Sequence, residues 1–135
     1  MKTLIVEDDF TSRVVLQGLL APYGECHVAV NGKEAVQACA SALMTGQPYN
    51  LICLDIMMPE MDGQTALNEI RTEEERTGIA SRRRARIIMT TALDDVRNIM
   101  DAFYGLCDGY LTKPIDGARL LQVLDQFNLR EPAVQ

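Results

Sequence analysis

The amino-acid sequence predicts an α/β fold, a single-domain (βα)5 doubly wound parallel sheet. Three observations predict it. Short, near-continuous apolar runs such as Thr3–Val6 and Leu51–Leu54 have the pattern of strands buried on both faces. Amphipathic stretches with capping residues alternate with those runs, and strands that alternate with helices pair in parallel beneath helices on both sides. Five such strand–helix units account for the 135 residues, one domain of common size with enough chain to bury a core.

The elements follow in order. Thr3–Val6 is the first strand. Thr11 or Ser12 can cap the helix after it, which carries Val14, Val15, Leu19 and Leu20 to about Ala21 before Pro22 and Gly24 end it. Cys26–Val30 is a weaker strand. Asn31 caps a second helix through Ala35, Val36, Cys39 and Leu43 to Gly46, with Glu34 at the capping-box spacing. Leu51–Leu54 is the third strand, and after a loop with Pro59 a helix starts at Asp62 or Gly63 and runs through Ala66, Leu67 and Ile70. Residues 72–86 are charged, acidic at Glu73–Glu75 and basic at Arg82–Arg84 and Arg86. They read as a solvated extension of the third helix and its loop, with a partner contact as the alternative. Arg86–Thr90 is the fourth strand, and Asp94 opens a helix to about Leu106. Gly109–Thr112 is the fifth strand, and Asp116 caps a last helix through Leu120, Leu121, Val123 and Leu124 to about Phe127. The domain is expected over 1–129, with 130–135 a short loose tail.

Bulk properties narrow the function classes. The formal net charge is -6, which disfavours direct nucleic-acid binding and docking on anionic lipid. No apolar run reaches membrane-span length, and the start of the chain turns acidic at Glu7, too early for a secretory signal. Cys26, Cys39, Cys53 and Cys107 are scattered and read as reduced thiols of a cytoplasmic protein. A metal site built on them would need histidines, and His27, the one histidine, reads as a structural or surface residue on a strand.

In doubly wound sheets ligands bind beyond the carboxyl ends of the strands. Here those ends carry Glu7, Asp8 and Asp9 after the first strand, Asp55 after the third, Thr90 and Thr91 after the fourth, and Lys113 after the fifth. Lys113 is one of only three lysines. Clustered carboxylates resist ionising together unless a cation joins them. Few, hard, water-accessible oxygens suit Mg²⁺, and a lysine beside a metal suits a phosphate. A carboxylate is also a competent nucleophile at phosphorus, so the set supports formation of an aspartyl phosphate. Acidic residues after a strand also cap the next helix, and Asp8 or Asp9 is open to that role alone.

Four segments carry a resemblance: Val6-Glu-Asp-Asp9, Asp55-Ile-Met-Met-Pro-Glu-Met-Asp-Gly63, Met89-Thr-Thr-Ala92 and Gly109-Tyr-Leu-Thr-Lys-Pro114. Together, from Leu4 to about Leu124, the chain resembles the CheY-like receiver domain of response regulators in two-component signalling systems. The resemblance implies a flavodoxin-like strand order, 2-1-3-4-5, and a phosphorylation switch. It implies Asp55 as phosphoacceptor and Mg²⁺ held by Glu7, Asp8, Asp55 and the backbone carbonyl of Met57. Thr91, rather than Thr90, matches the hydroxyl that follows the phosphoryl group, Lys113 its ammonium partner, and Tyr110 the switch aromatic. A cis bond before Pro114 is open to it, and Asp62 and Gly63 read as helix initiation.

The implied phosphodonor is a histidine kinase or histidine phosphotransfer protein, with Phe10, Arg13 and Gln17 on the first helix as candidate contacts. An output protein is expected on the face formed by Asp94–Leu106, Gly109–Thr112 and Asp116–Phe127. The protein is expected as a monomer or a phosphorylation-dependent dimer. Gly109 stands where DNA-binding receivers that dimerise through this face usually carry Asp. Met57 and Leu93 are apolar where polar residues would orient water, which implies slow hydrolysis of the phosphoaspartate. The rival enzyme class is an aspartate-nucleophile phosphatase of haloacid-dehalogenase type, which places a second Asp where this chain has Met57. A receiver fragment of a larger multidomain regulator is the other alternative.

Overall fold

The computed structural model describes residues 1–58, 60–91 and 106–129. Five parallel strands, β1 (Lys2–Val6), β2 (Glu25–Ala29), β3 (Leu51–Asp55), β4 (Arg86–Thr91) and β5 (Gly109–Thr112), form one sheet in the order β2-β1-β3-β4-β5. That is the expected order. Four helices are described: α1 (Phe10–Leu20), α2 (Gly32–Met44), α3 (Gly63–Thr77) and α4 (Gly117–Gln126). The helix expected from Asp94 lies outside the described residues apart from Leu106, which sits in a turn.

Alternation along the strands divides the interior into two layers. Leu4, Val6, Ile52, Leu54, Ile87 and Met89 pack with Ala35, Cys39 and Ala42 of α2 and Ala66, Leu67 and Ile70 of α3. Ile5, Leu51, Cys53, Ile88 and Leu111 face the other way, onto Leu16 and Leu20 of α1 and Leu120, Val123 and Leu124 of α4. Every residue of β3 is buried, which is why Leu51–Leu54 reads as a continuous apolar run. Each leucine-sized side chain so buried contributes about 1.5–3 kcal/mol. The sheet that carries the site ends is therefore clamped on both sides.

The helix starts follow local chemistry, with one correction. Asp9, not Thr11 or Ser12, caps α1: its carboxylate accepts from the Ser12 amide at 2.9 Å. A side-chain oxygen at the cap reaches the amide three residues on, so the cap must precede the first turn, which already contains Thr11 and Ser12. That helix stops at Leu20, and Ala21–Tyr23 continue as a 3-10 turn. Asn31 caps α2 through the Glu34 amide, Asp62 caps α3 through the Thr65 amide, and Asp116 caps α4 through the Ala118 amide.

The segment 72–86 is the expected extension of the third helix and its loop, with Glu74 and Ala85 as its buried exceptions. Helix α3 runs on to Thr77 and closes on Gly78, whose φ of 69° is the left-handed cap geometry that a side chain would disfavour. Within this stretch Glu74 is buried, 3% exposed. It accepts from Arg71 at 2.6 Å and from the Ala85 amide at 2.8 Å. Arg71 in turn donates to the Leu106 and Ala85 carbonyls and to Asp108. This pairing ties α3 to the start of β4 and to the approach to β5. Cys39 and Cys53 are buried and Cys26 and Cys107 half-buried, and none of the four is in a disulfide. His27 lies half-buried on β2 against the Tyr49 hydroxyl and Glu25. No described helix is long and apolar enough to cross a membrane.

Candidate functional site

The carboxyl ends of β1, β3, β4 and β5 meet at one edge. Asp55 closes β3, Glu7 follows β1, and Lys113 follows β5. Parallel register sets the last side of the site: Asp55 lies beside Thr90, and Thr91 beside Thr112. The Lys113 amide donates to the Thr91 carbonyl at 2.7 Å, which holds the lysine backbone against the end of β4, and the Lys113–Pro114 bond is cis.

The loop after β3 doubles back closely. The Ile56 amide donates to the Thr90 carbonyl, and the Gly63 amide donates to the Ile56 carbonyl at 2.9 Å. A Cβ at Gly63 would sit 2.3 Å from the Asp55 carbonyl oxygen and 2.7 Å from Ile56 Cα, so only glycine lets the start of α3 reach the acidic strand end. Asp62 and Gly63 thus begin the helix as the sequence implied, and the close packing of Gly63 on Asp55 and Ile56 is an addition from the structure.

Charge is concentrated here. Lys113 Nζ lies 3.1 Å from Asp55 Oδ2 and 2.8 Å from Glu7 Oε1. The Met57 amide donates to Asp55 Oδ1 at 3.2 Å, and the Asp9 amide donates to Glu7 Oε2 at 3.2 Å. Glu7 is fully buried, Asp55 nearly so, and Asp8 exposed. Burial raises the Glu7 carboxyl above its ordinary value; nearby Asp55 adds to this, and Lys113 only partly opposes it. For Lys113, burial alone would lower the ammonium, but the pull of Glu7 and Asp55 outweighs it and the group is held above its ordinary value. The Ser12 amide, by bonding the Asp9 carboxylate, keeps Asp9 below its ordinary value.

Carboxylate oxygens of Glu7, Asp8 and Asp55 all lie within 4.8 Å of one another. Three carboxylates against one ammonium leave the cluster with surplus negative charge. Lys113 is the close cation to buried Glu7 Oε1, at 2.8 Å, and it faces Asp55 as well, so one ammonium is divided between two carboxylates. A hard divalent cation fits this set: three clustered oxygen donors with surplus negative charge and one open side at exposed Asp8.

The remaining expected residues are near. Thr90 and Thr91 are both buried. Thr91 shares strand parity with Met89, and Tyr110, half-buried, packs with the same layer beside Met89 in the register. Thr91 and Tyr110 therefore stand on one face of adjacent strands. Met57 is 75% exposed beside Asp55, with its side chain toward solvent. Leu93 and Pro59 lie outside the described residues. On α1, Phe10 is exposed, while Arg13 stacks over Phe10 and donates to the Glu7 carbonyl at 3.3 Å. The Arg13 contact with the acidic strand end carries no signal in the sequence, since only the docking of α1 on β1 creates it.

Comparison with known proteins gives the class. A family model for the response regulator receiver domain matches residues 3–125, and the chain belongs to that family. It is 31% identical over 127 residues to the chemotaxis protein CheY of Bacillus subtilis, covering 93% of this chain and 95% of CheY. It is similar to the solved receiver domain of the sensor histidine kinase PA1611 from Pseudomonas aeruginosa, described with a magnesium ion in its active-site cleft: TM-score 0.73, 30% identity, covering 93% and 95% of the two chains. It is also similar to a Saccharomyces cerevisiae structure in which the phosphotransfer protein Ypd1 is bound to the receiver domain of the response regulator Ssk1: TM-score 0.76, 27% identity, covering 94% and 88%. The chain spans 4% to 49% of the length of the longer kinases and regulators it matches.

Proposed function

We propose that this protein is a phosphorylation switch that takes a phosphoryl group on Asp55. The observation that carries the reading is the Asp55–Lys113–Glu7 constellation, with Lys113 Nζ 3.1 Å from Asp55 Oδ2. An oxygen of Asp55 attacks the phosphorus of a phosphohistidine on a kinase or phosphotransfer protein. The P–N bond breaks as the P–O bond forms, and the released imidazole takes up a proton. Lys113 neutralises the charge on the incoming phosphoryl oxygens, and the Met57 amide fixes the second Asp55 oxygen so that one oxygen is presented for attack. Glu7, Asp8, Asp55 and the Met57 carbonyl would hold Mg²⁺. When bound, that ion supplies further neutralisation of phosphoryl charge.

Thr91 is the hydroxyl assigned to the bound phosphoryl group, and Tyr110 the aromatic that follows it. Their shared face on β4 and β5 supports the pairing. The consequence falls on the face of β5 and α4, where Tyr110, Leu111, Thr112, Asp116 and Arg119 line an open pocket of about 270 Å³. An output protein binds there, and the phosphodonor docks at α1 around Phe10, Arg13 and Gln17. The domain is residues 1–129. Met57 cannot transfer a proton, so the site holds its phosphoryl group rather than turning over as a phosphatase does.

The test is incubation with acetyl phosphate, with and without Mg²⁺, followed by intact mass measurement beside Asp55→Asn. One added phosphoryl group that requires both Mg²⁺ and Asp55 is expected. Catalytic release of phosphate with no adduct would overturn the switch in favour of a phosphatase.

A further inference from the structure

A second charged site lies at the opposite edge of the sheet. Strand β4 starts at Arg86 and ends at Thr91, so its amino end stands about 16 Å from the acidic cluster. Beside that end is a pocket of about 240 Å³ walled by Arg71, Arg84, Arg86 and Ser81, with Glu75 and Asp108 as its acidic residues. The three guanidinium groups are not equivalent. Arg71 is consumed by Glu74, Asp108 and two carbonyls. Arg86 reaches Asp108 at 3.3 Å and lies over Phe127. Arg84 Nε is buried with no hydrogen-bond partner, the only such nitrogen among the described residues.

A buried guanidinium N–H without an acceptor is costly, and guanidinium presents a planar fork that matches a carboxylate. Asp108 cannot serve, because its oxygens already take Arg71, Arg86 and the Ile87 amide. Glu74 is likewise committed to Arg71 and the Ala85 amide. Glu75, at the rim, is the one internal competitor. With Glu74 counted beside Glu75 and Asp108, the three pocket arginines are balanced in charge, so what remains for a ligand is the unmatched Arg84 N–H and the positive charge of Arg82 and Arg83 next to it. Outside the pocket the charge continues through exposed Arg82 and Arg83, so four arginines stand within five residues of a chain whose net charge is -6. A long polyanion such as nucleic acid would meet that overall negative field, whereas a short acidic segment would meet only the arginines.

We propose that this pocket binds an acidic segment of a protein partner, one carboxylate seated against Arg84 and its neighbours paired to Arg82 and Arg83. The site does not share a residue with the Asp55 cluster, so both can be occupied at once.

The experiment uses a fluorescent eight-residue peptide of alternating Glu and Asp, titrated by anisotropy at low and moderate salt. Saturable binding that weakens with salt is expected. Arg84→Gln is expected to lose at least about tenfold in affinity, since it removes a charge-assisted hydrogen bond, while uptake of phosphoryl from acetyl phosphate stays unchanged. In the unaltered protein, peptide should shift the amide resonances of Ala85, Arg86 and Asp108 and leave Asp55 and Met57 in place. That measurement decides the matter even if Arg84→Gln fails to fold. No saturable binding at millimolar peptide, or an equal loss in Arg82→Gln and Arg84→Gln, would overturn the proposal. So would displacement of the peptide by inorganic phosphate at lower concentration, which would mark a small-anion site, or tighter binding of duplex DNA.

Discussion

Replacing Lys113 by alanine tests the electrostatics of the acidic cluster without touching the nucleophile. The ammonium lies 2.8 Å from Glu7 Oε1 and 3.1 Å from Asp55 Oδ2, and Glu7 is fully buried. Breaking a buried pair by removing one partner costs about 3–5 kcal/mol. Lys113 is 26% exposed, so water screens part of that, and about 2–3 kcal/mol is expected at pH 7. Protonation sets a ceiling. A glutamate with an ordinary value of 4.5 takes a proton at pH 7 for about 3.4 kcal/mol, and the fold can always escape that way. The sign follows. Glu7 is already raised in the folded state, and loss of Lys113 raises it further, so the folded protein holds a proton that the unfolded chain has released. Stability of the variant then falls as pH rises above the ordinary glutamate value. At pH 5 the same ceiling is only about 0.7 kcal/mol. Urea denaturation at pH 5 and pH 7, with and without millimolar Mg²⁺, reads the effect. A deficit that shrinks at pH 5 and in Mg²⁺ is expected. An equal deficit at both pH values would refute the carboxylate repulsion, and no deficit at pH 7 would show that Lys113 does not offset it.

Further outcomes follow from single contacts. Met57→Asn should speed loss of phosphoryl from Asp55 about tenfold, the worth of one hydrogen bond that orients the attacking water, read as decay of the phosphorylated mass. An unchanged lifetime would remove position 57 from control of hydrolysis. Gly63→Ala must push backbone at Asp55 and Ile56, because its Cβ would lie 2.3 Å from the Asp55 carbonyl oxygen; a loss of about 1–3 kcal/mol and slower phosphoryl uptake are expected. Glu74→Ala strands the Ala85 amide and uncouples Arg71, costing about 3–5 kcal/mol in urea denaturation, whereas Glu74→Gln keeps an acceptor and should cost less. Cys39 and Cys53 are pushed up to about 12, first of all by burial, so at pH 8 about one thiol in ten thousand is ionised. Thiol reagents should therefore modify Cys26 and Cys107 first, and early labelling of Cys53 would contradict its burial.

What the sequence made legible, and what it hid, separates along one physical line. Local rules act over a few residues. They gave the capped starts of α2, α3 and α4 and the continuous apolar run of β3. The rule that sites form at carboxyl ends of parallel strands then brought Glu7, Asp55, Thr91 and Lys113 to one edge before any contact was known. The sequence leaves Asp9 open between capping and the acidic cluster, because both ask for the same side chain at the same place, and only the 2.9 Å bond to the Ser12 amide assigns it the cap. The Arg71–Glu74–Asp108 pairing was hidden for a different reason. Its members are up to 37 residues apart, and it exists only because α3 is long enough to lay Arg71 against the start of β4. Charge in the sequence implies solvent, yet Glu74 is buried because two donors, Arg71 and the Ala85 amide, meet there. The same long-range convergence uses up Asp108 and leaves Arg84 Nε unmatched. Sequence alone assigns the basic run 82–86 to a solvated loop; the consumed carboxylates around it are what turn one of its arginines into a binding group.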